Sequence, residues 1–174
     1  MTRKFQSHMG TQMTDLLNNK RIAFIKAGWH ADIIDQGQHH FIEKLAAAGI
    51  NKNLIDVVEV AGSLEIPLQA RLMAQSGSYA LIACGGFIVD GGIYRHEFVT
   101  SAVIDGIMRV MLDTQVPVLS MILTPRKPYD DAEDQPFFLE HFAIKGEELA
   151  NAALLTLKNM QTLSAALIKE SRAS

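Results

Sequence analysis

Cysteine is almost missing from this chain: Cys84 stands alone. A single thiol excludes an intrachain disulfide framework and a thiolate metal site. Set in the apolar run Tyr79–Cys84, it reads as a core thiol in a reducing compartment. Long apolar runs are missing too. No stretch reaches the ~20 residues of a membrane span. Met1–Asn19 holds no apolar segment of signal-peptide length, so the expected place is the cytoplasm. Nor is there a basic excess. Sixteen Lys and Arg face nineteen Asp and Glu, a net charge of −3, which gives nucleic-acid binding no electrostatic support. The six histidines show no close metal spacing. Asp130, Asp131, Glu133 and Asp134 lack the alternating ligands and sixth-position glycine of a calcium loop, and read as a solvated loop.

What is present suits one globular domain. The chain has 174 residues, 48% of them hydrophobic. A chain of this length buries about 70% of its unfolded surface and needs no disulfide or metal to hold it. Residues 1–19 are polar and without pattern, and are expected to be flexible. Four short apolar runs then read as strands: 21–26, 54–60, 79–87 and 116–123. Helical patterns lie between and after them. The first is capped by Asp32 and ended by Gly49, with Ile34, Phe41, Leu45 and Ala48 on one face. The second starts near Pro67. The third runs from about Arg95 to Thr114, with Phe98, Ala102, Met108, Met111 and Leu112 supplying apolar positions. Pro125 and Pro128 keep 124–135 a loop, 136–142 reads as a short helix, and 146 to about 169 as a long one.

This β-α alternation predicts an α/β fold, a three-layer α/β/α sandwich on a four-stranded parallel sheet. In such sheets ligands bind beyond the carboxyl ends of the strands. Four turns sit there: 27–30, 61–65, 85–96 and 124–135. They hold nearly every chemically distinctive residue of the chain. Trp29 offers an amphipathic ring for stacking or a cover for the sheet end. Glu65 suits a ligand or a helix dipole equally well. Gly91-Gly92 opens the backbone to a ligand just before Arg95, His96 and Glu97 at a helix mouth.

Together these turns resemble the 6,7-dimethyl-8-ribityllumazine synthase family. The carrying residues are Trp29, Gly-Ser-Leu-Glu-Ile-Pro at 62–67, the stretch 85–99, Thr-Xaa-Val-Pro-Val at 114–118, and Lys145-Gly146. Trp29-His30-Ala31-Asp32 and residues 91–99 are similar to the family's divergent second type, whose members form decamers. The resemblance runs from about Arg21 to the end, so residues 20–174 are expected to form one synthase-like domain with a flavodoxin-like fold. It implies condensation of 5-amino-6-(D-ribitylamino)uracil with 3,4-dihydroxy-2-butanone 4-phosphate, with no metal and no bound redox cofactor. It also implies a homo-oligomer built on pentamers. The same stacking pocket would suit riboflavin or FMN, so a flavin- or lumazine-binding protein with little turnover is an alternative. A generic phosphate-binding module of the same topology is another.

The resemblance assigns roles by position. Trp29 would stack on the pyrimidine, and Ser63, Leu64 and Glu65 would face the ribityl chain. Phe87, Ile88 and Val89 would offer backbone groups, and Gly92 and Ile93 would cradle the phosphate. The family's proton-transferring histidine falls on Arg95, with His96 one residue later. Arg95, always protonated, suits phosphate or an oxyanion, whereas His96 can pass protons. His96 could equally pack on the sheet or pair with Glu97. Ser120 stands where many members carry an aromatic from the neighbouring subunit. The family's phosphate-binding arginine has no clear counterpart; His141 is the nearest substitute, with Arg126 and Lys127 behind it.

Overall fold

The computed structural model describes residues 13–92, 95–126 and 129–173. Ile93 and Lys127 therefore lie outside the described residues, as does segment 1–12. Strands β1 (Arg21–Ala27), β2 (Ile55–Val60), β3 (Tyr79–Phe87) and β4 (Val118–Leu123) form one parallel sheet in the order β2-β1-β3-β4. Helices α1 (Ala31–Ala47) and α4 (Asp131–Ala173) pack together on one face, α2 (Ile66–Gln75) and α3 (His96–Thr114) on the other. The expected three-layer sandwich is thus observed.

The core follows from sequence period. β1 and β3 are central, covered on both faces, and nearly continuous in apolar residues. Ile22, Phe24, Ile25, Leu81 and Ile82 are fully buried there. α1 buries Ile33, Ile34, Gly37, Phe41 and Leu45, a helical stripe close to the expected one. Its amino-terminal cap is His30 rather than Asp32. Asp32 lies in the first turn, where its carboxylate accepts from Gln135 Nε2 at 2.6 Å.

Three further expectations are corrected. The inward face of α3 is Val103, Ile107 and Val110, whereas Phe98, Met108 and Leu112 are exposed. A helix apolar on several sides does not declare which stripe meets the sheet. Residues 131–173 form one helix, not a loop and two helices. Asp130 starts it: its Oδ1 accepts from Ala132 N at 2.8 Å, and Asp134 Oδ2 accepts from Asp130 N at 3.0 Å. The acids read as a solvated loop thus serve as a helix start, where the dipole favours them. Pro136 sits in the second turn of that helix, where its missing N–H forgoes one backbone bond and its ring crowds the Ala132 carbonyl. Finally, residues 13–19 are not without pattern. They make a helical turn whose Leu17 is buried in the core and whose Thr14 hydroxyl donates to Gly49 O at 3.2 Å.

Candidate active site

The four turns meet at the carboxyl ends of the strands. The first leaves β1 at Ala27 and is tied to the end of β2 by Gly28 N donating to Val60 O at 2.8 Å. Trp29 is 76% exposed. His30 is left-handed, with φ 57° and ψ 38°, and its carbonyl accepts from Ile33 N and Ile34 N at 3.1 Å.

The second turn is fastened by Glu65. Its Oε2 accepts from Gly62 N at 2.8 Å, and a single 3-10 turn runs over Ser63–Glu65. This is the helix-start reading of Glu65, and it leaves Oε1 outside that bond. Leu64 is exposed. Ser63 lies against the end of β3: a Cβ on Gly86 would sit 2.8 Å from Ser63 Oγ. Glycine at 86 is what lets the two turns touch.

In the third turn Phe87 and Ile88 are buried, and Ile88 N donates to Leu123 O at 2.9 Å. The Ile88 amide is therefore committed to the strand β4. Asp90 Oδ1 accepts from Gly92 N at 2.9 Å, and Gly92 takes φ 72°, a conformation glycine adopts without cost. The chain then enters α3. His96, its side chain 17% exposed, holds Nδ1 at 3.9 Å from Asp90 Oδ1 and 3.8 Å from Glu97 Oε2. Arg95 is 71% exposed; its guanidinium lies 4.7 Å from the centre of the Phe98 ring, with Nε 3.6 Å from Glu97. The two basic side chains thus differ: one sheltered beside two carboxylates, one open to solvent at a helix amino terminus.

The fourth turn closes on the first and third through rings. Tyr129 meets His30 and Phe87 edge to face, at 5.4 and 5.2 Å between centroids. Phe87 continues inward to Phe138 at 4.7 Å and Phe142 at 5.4 Å. Below this cluster Lys26 ties β1 to α1 and β2, donating to Asp35 at 2.5 Å and lying 3.1 Å from Glu59. Burial draws the Lys26 ammonium down, but the two carboxylates outweigh it and hold it above the ordinary lysine range.

Two expected residues stand apart from this group. Ser120 is exposed on β4, at the sheet edge, its Oγ accepting from Ile122 N at 3.1 Å. His141 lies ten residues into α4, on the α1 side of the sheet, stacked on Phe137 at 5.4 Å and 12°. Arg126 is exposed. Sequence reasoning passed over Asp90, Tyr129 and the ring of His30. Only Asp90 carried a local signal, an acid directly before a glycine pair. The rings meet across gaps of some forty to a hundred residues, which no local pattern records.

Comparison with known proteins agrees with this architecture. The family model for 6,7-dimethyl-8-ribityllumazine synthase matches residues 19–161. The 6,7-dimethyl-8-ribityllumazine synthase of Rhodococcus erythropolis is 47% identical over 147 residues, covering 84% of this chain and 95% of that one. The 6,7-dimethyl-8-ribityllumazine synthase 2 of Pseudomonas syringae is 47% identical over 145 residues, 83% of this chain and 85% of that one. Its namesake in Bradyrhizobium diazoefficiens is 43% identical over 144 residues, 83% and 86% of the two chains. The chain therefore belongs to the 6,7-dimethyl-8-ribityllumazine synthase family, transferases of riboflavin biosynthesis.

Proposed function

We propose that the family's condensation takes place at the four turns described, in a site completed by a neighbouring copy of the chain. The reaction joins 5-amino-6-(D-ribitylamino)uracil to 3,4-dihydroxy-2-butanone 4-phosphate, forms 6,7-dimethyl-8-ribityllumazine, and releases phosphate and water. Most of the acceleration comes from holding amine and ketone together, which contributes as much as ~7–11 kcal/mol. Proton transfer adds about 10²–10⁴-fold. In this reading Trp29 stacks on the pyrimidine, and Ser63, Leu64 and Glu65 border the ribityl chain. Arg95 at the mouth of α3 binds phosphate together with the Gly92 backbone. His96 moves protons during imine formation, its Nδ1 facing Asp90 and its exposed edge facing the substrate. Ser120 and His141 reach a substrate only from a neighbouring copy.

The observation that carries the oligomer is the outer surface of α2 and α3. Both helices bury one apolar stripe on the sheet, yet Leu68, Leu72, Phe98, Met108 and Leu112, with Leu64 in the turn before α2, are exposed. Covering these contributes on the order of 5–10 kcal/mol, comparable with the cost of association. Cyclic closure is the usual outcome for identical chains. We assign a pentamer, two of which make a decamer, in the cytoplasm, where the buried Cys84 thiol stays reduced; burial pushes that thiol up to about 12. No observation favours the alternative of a flavin-binding protein without turnover. Light scattering, followed by lumazine absorbance with both substrates, tests the reading. Five or ten chains with turnover is the expected result; a 19.2 kDa monomer that turns over at full rate overturns the shared site.

A further inference from the structure

We infer that His30 is a positioning residue for Trp29, acting through the ring triangle His30–Phe87–Tyr129. The inference rests on the reading of Trp29 as the stacking residue.

His30 occupies the left-handed region, φ 57° and ψ 38°, which costs energy for any residue carrying a Cβ. It stands at the amino-terminal cap of α1, yet its side chain makes no capping hydrogen bond. The ring instead meets Phe87 at 5.5 Å and 80° and Tyr129 at 5.4 Å and 83°. Phe87 and Tyr129 meet each other at 5.2 Å and 89°. All three pairs have the edge-to-face geometry that aromatic quadrupoles prefer. Each ring comes from a different turn of the site, the first, the third and the fourth. Phe87 is only 3% exposed and continues into the core, so the triangle is anchored.

Trp29, one residue earlier, has the opposite surroundings. It is 76% exposed, and among the described ring contacts it has none. The backbone that carries it runs between Gly28, bonded to Val60, and His30. The anchored His30 ring fixes that backbone and turns Trp29 outward over the site. A loose Trp29 would lose orientation before binding, which weakens stacking without touching the proton-transfer step.

The test is a kinetic cycle on the intact enzyme. His30→Asn keeps a residue that tolerates the left-handed region and deletes the ring. It should raise KM for the ribitylaminouracil about tenfold and leave kcat within about threefold. In the Trp29→Ala background the same change should have no further effect on KM. Tyr129→Leu removes the triangle from the other side and should reproduce the result, including where His30→Asn fails to fold. An unchanged KM in folded His30→Asn overturns the inference. So does an equal rise in both backgrounds, which marks mere packing. An unchanged KM in Trp29→Ala alone is distinct: the stacking reading itself then falls, and positioning with it.

Discussion

On one face of the sheet, α1 and α4 approach until their backbones touch. A Cβ on Gly146 would sit 2.2 Å from the Gly37 carbonyl oxygen. The apolar residues of α1 point inward, and Phe142, Leu149, Ala150 and Ala153 of α4 are buried. On the other face, α2 and α3 also meet at a glycine, Gly106, where a Cβ would lie 2.9 Å from the Pro67 ring. Yet this layer carries a second apolar surface that none of the described residues covers, with Leu112 69% exposed. The α1–α4 layer is locked by backbone contact, although α4 also leaves Phe137, Ile144, Leu155, Leu163 and Leu167 exposed; the α2–α3 layer has no contact as close and exposes its apolar residues beside the candidate site. Large apolar patches on a soluble chain mark interaction surfaces. The α2–α3 layer also borders Glu65, Arg95 and His96, so in the proposed reading one surface serves both assembly and chemistry.

Breaking the closely packed α1–α4 contact should cost most. Gly146→Ala forces a methyl onto backbone that cannot yield, at the upper end of the ~1–3 kcal/mol typical of overpacking. The melting temperature should fall by about 6–12 °C, and Gly106→Ala should fall less, because proline ring atoms rather than backbone oppose it. Equal losses at the two glycines would remove the asymmetry between the faces.

Next in size is the open face. If solvent covers it, Leu68→Glu with Leu112→Glu changes stability by only about 0.5 kcal/mol per site. With a neighbour there, the pair should split the oligomer and lower kcat/KM more than about tenfold while helical content persists. An intact oligomer in the double variant would place the interface elsewhere.

The mouth of α3 sharpens the comparison chemically. Arg95→Ala should mainly raise KM for the butanone phosphate, since an exposed guanidinium at a helix start is suited to binding anions. His96→Ala should mainly lower kcat, by roughly 10-fold to 10²-fold, because orientation survives. Full kcat and an unchanged pH profile in His96→Ala would move the proton transfer to another group.

The layers and the four turns were legible from the sequence because they depend on local signals: apolar runs of strand length, glycine at turns, and a period of 3.6 between them. The strand Tyr79–Phe87 is found where the apolar run places it. The face of α3 was not legible, since Phe98, Met108 and Leu112 make as good a stripe as Val103, Ile107 and Val110. Only the neighbouring layer decides which of them turns inward. The start of α4 hid behind prolines and acids that mimic a loop; the reciprocal Asp130–Asp134 bonding resolves it. At the site, Trp29 and His96 could be singled out by type, whereas the His30 ring could not. Its role depends on Tyr129, a hundred residues away, which periodicity cannot register.

The smallest expected effect belongs to neither face and serves as a control on both. At the amino ends of the strands, Asp56 of β2 accepts from the Arg21 guanidinium of β1 and from the Tyr79 hydroxyl of β3, the latter at 3.0 Å. The Arg21 hydrogen bonds hold the Asp56 carboxyl below its ordinary value; burial opposes this, and Tyr79 adds to it. A carboxyl depressed in the folded state contributes stability above its unfolded pKa, near 3.8, and loses it as the pH falls through the folded value. Asp56→Asn should therefore lower the melting temperature by about 2 °C at pH 7. The gap to the unsubstituted chain should close in acid below about pH 4 as the native carboxyl protonates. Because neither Leu68 nor Leu112 is a hydrogen-bond partner of Asp56, Arg21 or Tyr79, the shift should be equal in the oligomer and in the Leu68→Glu, Leu112→Glu chain. A gap that persists into strong acid would show that shape, not charge, is what Asp56 contributes.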